Sequence, residues 1–170
     1  MNLERKFFET KVALDETGFV SGIAWPFGDE PDRYGDTIEP GAFKSIIGKT
    51  LPILFSHSGQ DTVGIWSTIK ATARGLEVSG KLLVEEVARA REVAAMVKAG
   101  AARGLSVGFL PKTSKSRAGG GRHYTAVDCF ECSICSTPAH PSAKITNYKD
   151  TERAARLVSA INRAAEALRA

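Results

Sequence analysis

From residue 5 to residue 136 the chain runs as a series of short apolar segments of strand length, each closed by turns rich in Gly, Pro or Asp. Sustained helical periodicity interrupts that rhythm at one internal place, residues 84–99. Most strands must therefore find their partners through turns and hairpins, because a parallel neighbour needs a crossover of about a dozen residues or more. The expected strands are 5–14 and 18–26, joined as a hairpin by Asp15-Glu16-Thr17-Gly18, then 51–57, 62–71, 74–83, 104–113 and 122–136. In 51–57 apolar residues occupy both parities (Leu51, Ile53, Leu54, Phe55), which predicts a strand buried on both faces.

The remaining segments are punctuation and helix. Residues 27–36 (FGDEPDRYGD) read as an ordered surface loop and 114–121 (SKSRAGGG) as a flexible polar one. Pro40 opens a short helical run with Phe43, Ile46 and Ile47 on one face, ended by Gly48. Helix 84–99 carries apolar residues at 84, 87, 88, 94, 95 and 97, Lys98 in its last turn and Gly100 as its stop. Residues 151–170 place Leu157, Val158, Ile161, Ala164, Ala165 and Leu168 on one side and predict a C-terminal amphipathic helix. About seven strands, one central helix and one terminal helix predict a mainly β (α+β) fold, a mostly antiparallel barrel or sandwich with the helices packed outside. The domain reading is 1–150 as one β domain including helix 84–99, and 151–170 as the terminal helix.

A chain of 170 residues with 43% hydrophobic residues can close one core without disulfides or metals. No stretch approaches the roughly 20 apolar residues of a membrane span, and the N-terminus lacks an uncharged apolar region before a small-residue cleavage site. The expectation is a soluble cytoplasmic protein with no membrane partner. The net charge of +4 is spread along the chain with no basic block, so no specific nucleic-acid partner is expected.

Three positions could carry chemistry. In Gly104-Leu105-Ser106-Val107-Gly108-Phe109, strand alternation puts Leu105, Val107 and Phe109 on an apolar face and Ser106 with Gly108 on the other, which is expected to be open. Glycine beside a serine leaves clearance for an approaching carbonyl. Read alone, the segment fits a solvated serine on a barrel exterior better than a nucleophile. His57 ends an apolar strand between Ser56 and Ser58, where a rigidly held imidazole could exchange protons; His123 and His140 are its competitors, and neither closes a buried strand. In 127–135 one parity holds Phe130, Cys132 and Ile134, expected in the core, and the other holds Cys129, Glu131, Ser133 and Cys135. Glu131 could then accept the second imidazole N–H, with Asp128 as the second candidate on the opposite parity.

Cys129, Cys132 and Cys135 form a C-x2-C-x2-C run, an odd number in one short segment that argues against a disulfide framework. Strand geometry turns Cys132 away from the other two, and three thiolates fall short of the usual four ligands unless His123 or His140 joins them. Small buried thiols are the default reading, and a Cys-rich metal-binding module is the competing one.

Taken in order, these segments resemble the caudoviral prohead proteases, the capsid-maturation serine peptidases of tailed phages, distantly similar in fold to herpesvirus assemblin. The residues that carry the resemblance are Gly22-Ile23-Ala24, Asp32-Arg33-Tyr34-Gly35-Asp36-Thr37-Ile38-Glu39-Pro40-Gly41-Ala42-Phe43, Leu51-Pro52-Ile53-Leu54-Phe55-Ser56-His57 with Val63-Gly64, Gly104–Phe109, Glu131-Cys132-Ser133-Ile134 and Pro138-Ala139-His140-Pro141-Ser142-Ala143. They span residues 18–145 in the family's order. Two departures stand out: the cysteine-rich strand around the acid, and His140 where an asparagine is common.

The resemblance implies a barrel of the herpesvirus protease type and a serine endopeptidase with Ser106 as nucleophile, His57 as base and Glu131 as third member, where the herpesvirus enzymes use a second histidine. It implies no cofactor and no metal. It implies as substrates the scaffold segment of the major capsid protein precursor, or a separate scaffold protein, and the protease itself, with action in the bacterial host cytoplasm inside the assembling procapsid. Backbone N–H groups of 138–143 are the expected oxyanion donors. Homo-oligomerisation is left open, the herpesvirus relatives implying that dimers can support activity. The alternative of the same fold is an inactive capsid-assembly or scaffolding protein.

Overall fold

A computed structural model describes residues 18–137 in full and, before them, the backbone pairing of 4–9 and 13–14. The anticipated turn residues 15–17, the loop 138–143 with His140, and the terminal helix 151–170 lie outside the described residues. The strands are β1 (Glu4–Glu9), β2 (Ala13–Leu14), β3 (Phe19–Pro26), β4 (Thr37–Ile38), β5 (Leu51–Phe55), β6 (Ser58–Thr72), β7 (Gly75–Leu82), β8 (Gly104–Ser116) and β9 (Arg122–Cys135). Among the described residues they form one sheet in the order β1-β8-β9-β5-β6-β7-β3-β2, with β4 added alongside β9.

The sheet is a curled half-barrel, mostly antiparallel as expected, with two parallel pairs where β9 meets β5 and β4. Nine strands replace the anticipated seven because residues 5–14 divide and Thr37–Ile38 adds a short ladder. The expected hairpin survives only in part. Ala13 and Leu14 pair with Ser21 and Val20, whereas β1 leaves for the opposite end of the sheet and pairs with β8, Phe7 opposite Ser106. One segment thereby supplies backbone partners to both ends of the curled sheet, edges that would otherwise expose unpaired N–H and C=O groups.

Curvature comes from irregular register. Bulges fall between Ile23 and Trp25 in β3 and between Trp66 and Thr68 in β6, and each adds local twist. The fully buried Trp25, Trp66, Phe43, Phe109 and Tyr124 fill the single core, with the Phe109 and Tyr124 rings edge to face at 5.3 Å. Helix α1 (Ala88–Ala99) packs on β6 and β7 through Ala90, Val93, Ala94 and Val97. It begins four residues later than its apolar periodicity predicts, because 84–86 form a turn whose Val84 carbonyl accepts from the Arg91 guanidinium. It stops where predicted, with Gly100 left-handed at φ 77°. The short run at Pro40–Phe43 is a 3-10 turn that buries Ala42 and Phe43. No helix among the described residues is long and apolar enough to cross a membrane.

The strand that matters most is β9. It is flanked by β8 on one side and β5 on the other, and residues 131–135 are buried on both faces. Side chains from three neighbouring strands can therefore converge there out of water.

Candidate active site

His57 reaches the site from a two-residue turn. Phe55 pairs with Ser58, and the intervening Ser56 and His57 have φ of 51° and 63°. Two successive left-handed residues are the pattern of a type I′ hairpin, usually met with Asn-Gly, and each non-glycine costs roughly 1–2 kcal/mol there. Such strain persists only where the surroundings over-determine it. Here the Ser56 N–H donates to the Ile134 carbonyl at 2.9 Å and the His57 N–H to Ser133 Oγ at 3.0 Å. The turn is bolted to β9 by both of its amides.

Register sets the other members. Ser106 lies opposite Ser133 and Gly108 opposite Glu131 across the β8–β9 ladder, so all four share one face, as the alternation of both strands predicts. That face is not open, as the sequence led us to expect. Ser106 and Ser133 are 0% exposed and Glu131 4%. The clearance ascribed to Gly108 is likewise taken: a Cβ there would lie 2.1 Å from Glu131 Oε1, so the glycine makes room for the carboxylate rather than for a substrate.

The same ladder corrects the parity of 127–130. Glu131 faces Gly108 and Cys129 faces Phe109, leaving Phe130 as an extra residue in a bulge. Phe130, expected in the core, is 42% exposed, and Cys129 turns in to join Cys132 in the core.

Three side chains then form one hydrogen-bonded line. His57 Nδ1 is 2.5 Å from Glu131 Oε1, and His57 Nε2 is 2.6 Å from Ser106 Oγ. A carboxylate only accepts, so it holds the imidazole proton on Nδ1 and leaves Nε2 to accept from the serine hydroxyl. Burial lowers the local dielectric and strengthens both bonds. The arrangement can draw a proton off Ser106 Oγ and stabilise the imidazolium that results.

Other candidates lie elsewhere. Asp128 is half exposed and pairs with Lys112 at 3.5 Å. His123 bonds Thr37 Oγ1 at 2.8 Å and faces Glu39, next to the β4–β9 ladder. The three cysteines are buried free thiols. Desolvation, reinforced by the nearby Glu131 charge, pushes Cys129 and Cys135 up to about 12 and Cys132 well above its ordinary value. The described residues contain no group of three His, Cys, Asp or Glu placed to hold a metal. Ser133, to which strand alternation alone assigns no role, also belongs to the site. Its two-residue spacing from Glu131, which places both on one strand face, was the available signal.

Comparison with known proteins adds the family. Residues 6–156 match the model of the caudovirus prohead serine protease family. The chain belongs to that family. It is 32% identical over 151 residues to the capsid polyprotein of Pseudomonas phage PAJU2, covering 85% of this chain and 22% of that protein. The chain thus spans about a fifth of the length of this relative. The bacteriophage T4 capsid assembly protease has a similar fold, with a TM-score of 0.62 over 79% of this chain and 97% of that one at 10% sequence identity. This prohead protease family member therefore shares its curled β-sheet with a capsid assembly protease despite little common sequence.

Proposed function

We propose that this chain is a serine endopeptidase of phage head maturation, with Ser106 as nucleophile, His57 as general base and Glu131 as the residue that orients and stabilises the imidazolium. The observation that carries the reading is the buried line from Ser106 Oγ through His57 to Glu131, with contacts of 2.6 and 2.5 Å, in a chain of a serine protease family. His57 Nε2 takes the hydroxyl proton as Oγ attacks a peptide carbonyl. The imidazolium then returns that proton to the leaving amine, and an acyl-enzyme remains on Ser106. Water, deprotonated by the same imidazole, hydrolyses the ester and restores the serine. Backbone N–H groups of 138–143 are proposed as oxyanion donors.

The substrates proposed are the scaffold segment of the capsid protein precursor, or a separate scaffold protein, and the protease itself. The relative named a capsid polyprotein supports the capsid protein as partner. Ser106 is fully covered, so a peptide carbonyl reaches Oγ only after neighbouring chain moves aside. The place of action proposed is the assembling procapsid, in the host cytoplasm. The same burial is what favours the second reading, an inactive assembly protein of this fold.

Time-resolved intact-mass spectrometry separates the two. Wild type and Ser106→Ala are followed alone and with the cognate capsid precursor. Discrete fragments from wild type and none from Ser106→Ala are expected. Equal cleavage by both would remove Ser106 from the mechanism, and no cleavage by either, inside assembled shells as well as in solution, would leave the assembly role.

A further inference from the structure

One hydroxyl at the site does no chemistry in the mechanism above, yet it touches two of its parts. Ser133 Oγ is 3.0 Å from the His57 backbone N and 2.7 Å from Glu131 Oε2, and the residue is 0% exposed. The direction of both bonds is settled by what each partner can do. A backbone N–H only donates, so Ser133 Oγ accepts there. Its single proton is then free for the carboxylate, which accepts at Oε2. Glu131 Oε1 in turn accepts the Nδ1 proton of His57. The result is a closed ring: His57 backbone to Ser133, Ser133 to Glu131, Glu131 to the His57 side chain.

We propose that Ser133 is a positioning residue of this site, locking the carboxylate rotamer of Glu131 and the left-handed backbone of His57 to one another so that Nε2 meets Ser106 Oγ. The inference rests on the reading of Ser106, His57 and Glu131 as nucleophile, base and orienting acid. Three features give Ser133 this part. It pairs opposite Ser106 in the β8–β9 ladder, so the same strand register that places the nucleophile places the lock. It anchors a residue whose φ of 63° is disfavoured and needs holding. It occupies the carboxylate oxygen that His57 does not use, which removes the second rotameric choice by which Oε1 could leave Nδ1.

Without the hydroxyl, Glu131 loses one of two fixed bonds and the His57 amide loses its acceptor, while the fold keeps its ladder. Displacements of about 1 Å at a reacting group cost on the order of 10²-fold in rate. Ser133→Ala should slow the nucleophile by that order through kcat, with KM little changed.

The test uses the full chain and a small fluorophosphonate probe that phosphonylates an activated serine, displacing fluoride, so that no cleavage of a substrate is needed. Labelling is read by intact mass for wild type, Ser106→Ala, Ser133→Ala, Ser133→Cys and Ser133→Thr. Wild type should label and Ser106→Ala should not. Ser133→Ala and the near-isosteric Ser133→Cys, a weak donor, should label on the order of 10²-fold more slowly, and Ser133→Thr, which keeps the hydroxyl, should recover rate. A second readout is the low-field proton resonance of the His57 Nδ1–H···Glu131 bond, which should shift or broaden in Ser133→Cys while thermal unfolding stays cooperative. Wild-type labelling matched by both Ser133→Ala and Ser133→Cys overturns the positioning role and leaves the protease reading standing. Failure of wild type to label, in the free chain and after assembly with the capsid precursor alike, overturns both. If Ser133→Ala does not fold, Ser133→Cys alone decides.

Discussion

Glu131 lies against the α-carbon of Gly108, its Oε1 only 2.1 Å from where a side chain's first carbon would stand. The two residues face each other across the β8–β9 ladder, so the strand that carries the serine also supplies the space for the acid. An added methyl at 2.1 Å from Oε1 must push the carboxylate away from His57 Nδ1. Gly108→Ala should therefore reduce kcat on the order of 10²-fold while the protein remains folded. The contrast is Gly80, where a Cβ would meet the Ile65 backbone oxygen at 2.0 Å and no side chain can yield. Gly80→Ala should damage stability first. Parallel kinetics and thermal melts of the two variants check the distinction; a fully active Gly108→Ala enzyme would show that the carboxylate has another place to stand.

The turn that presents His57 stores strain that its neighbour can shed. Ser56 is left-handed at φ 51° and its side chain is not part of the hydrogen-bonded line. Ser56→Gly relieves a penalty of roughly 1–2 kcal/mol, partly offset by the greater freedom of glycine in the unfolded chain. A net gain of about 0.5–1 kcal/mol is expected, raising Tm by about 2–4 °C per kcal/mol, with activity retained. Calorimetry of the variant reads the gain directly, and a lower Tm would show that the Ser56 side chain contributes more than its backbone costs.

Buried thiols predict both chemistry and pH dependence. With Cys129 and Cys135 pushed up to about 12, only about one thiol in ten thousand is ionised at pH 8 in the folded chain. Iodoacetamide should leave all three unmodified until the protein is denatured. The raised folded value has a definite sign in stability: below the unfolded value near 9.0 both states hold the proton and nothing is lost. As pH climbs from there towards 12 the unfolded chain releases protons that the folded chain retains, and stability falls. Denaturant midpoints between pH 7 and 11 measure this, and replacing the cysteines by alanine should flatten the alkaline limb.

Away from the site, Asp36 ties the 27–36 loop to β9. Its Oδ1 accepts the Arg122 N–H at 2.7 Å and its Oδ2 the Tyr124 hydroxyl at 3.2 Å, both with the carboxylate only 2% exposed. Asp36→Ala removes the acceptors of the buried Tyr124 hydroxyl and the part-buried Arg122 amide and should cost about 2–3 kcal/mol. Thermal unfolding should show it as a Tm lowered by about 5–10 °C, and an unchanged Tm would mean the loop is held by its other bonds.

Much of this was legible in the sequence because it depends on local alternation. Strand alternation alone puts Ser106 with Gly108 on one face and Glu131 with Ser133 on another, and the ladder then joins those faces. The boundaries of β3, β5 and β7 fall within two residues of the expected runs, since Gly and Pro mark them chemically. What failed has one common cause. The bulge at Phe130 is created by how β9 meets β8, and no property of Phe130 itself announces it. The same holds for β1, whose partner lies about a hundred residues away and whose pairing reflects which sheet edge is unfilled.

The amino-acid sequence by itself determined the class of fold, where most of its strands lie along the chain and the side chains available for acyl transfer, because period-two patterning and turn chemistry act over a few residues. Only the tertiary structure decided that three of those side chains meet. His57 comes from a strained turn after β5, Ser106 from β8 and Glu131 from β9, and their convergence depends on β9 lying between the other two strands. It also decided that the meeting place is dry. Burial is a property of what packs against a face, and that is settled by long-range register rather than by the residues on the face.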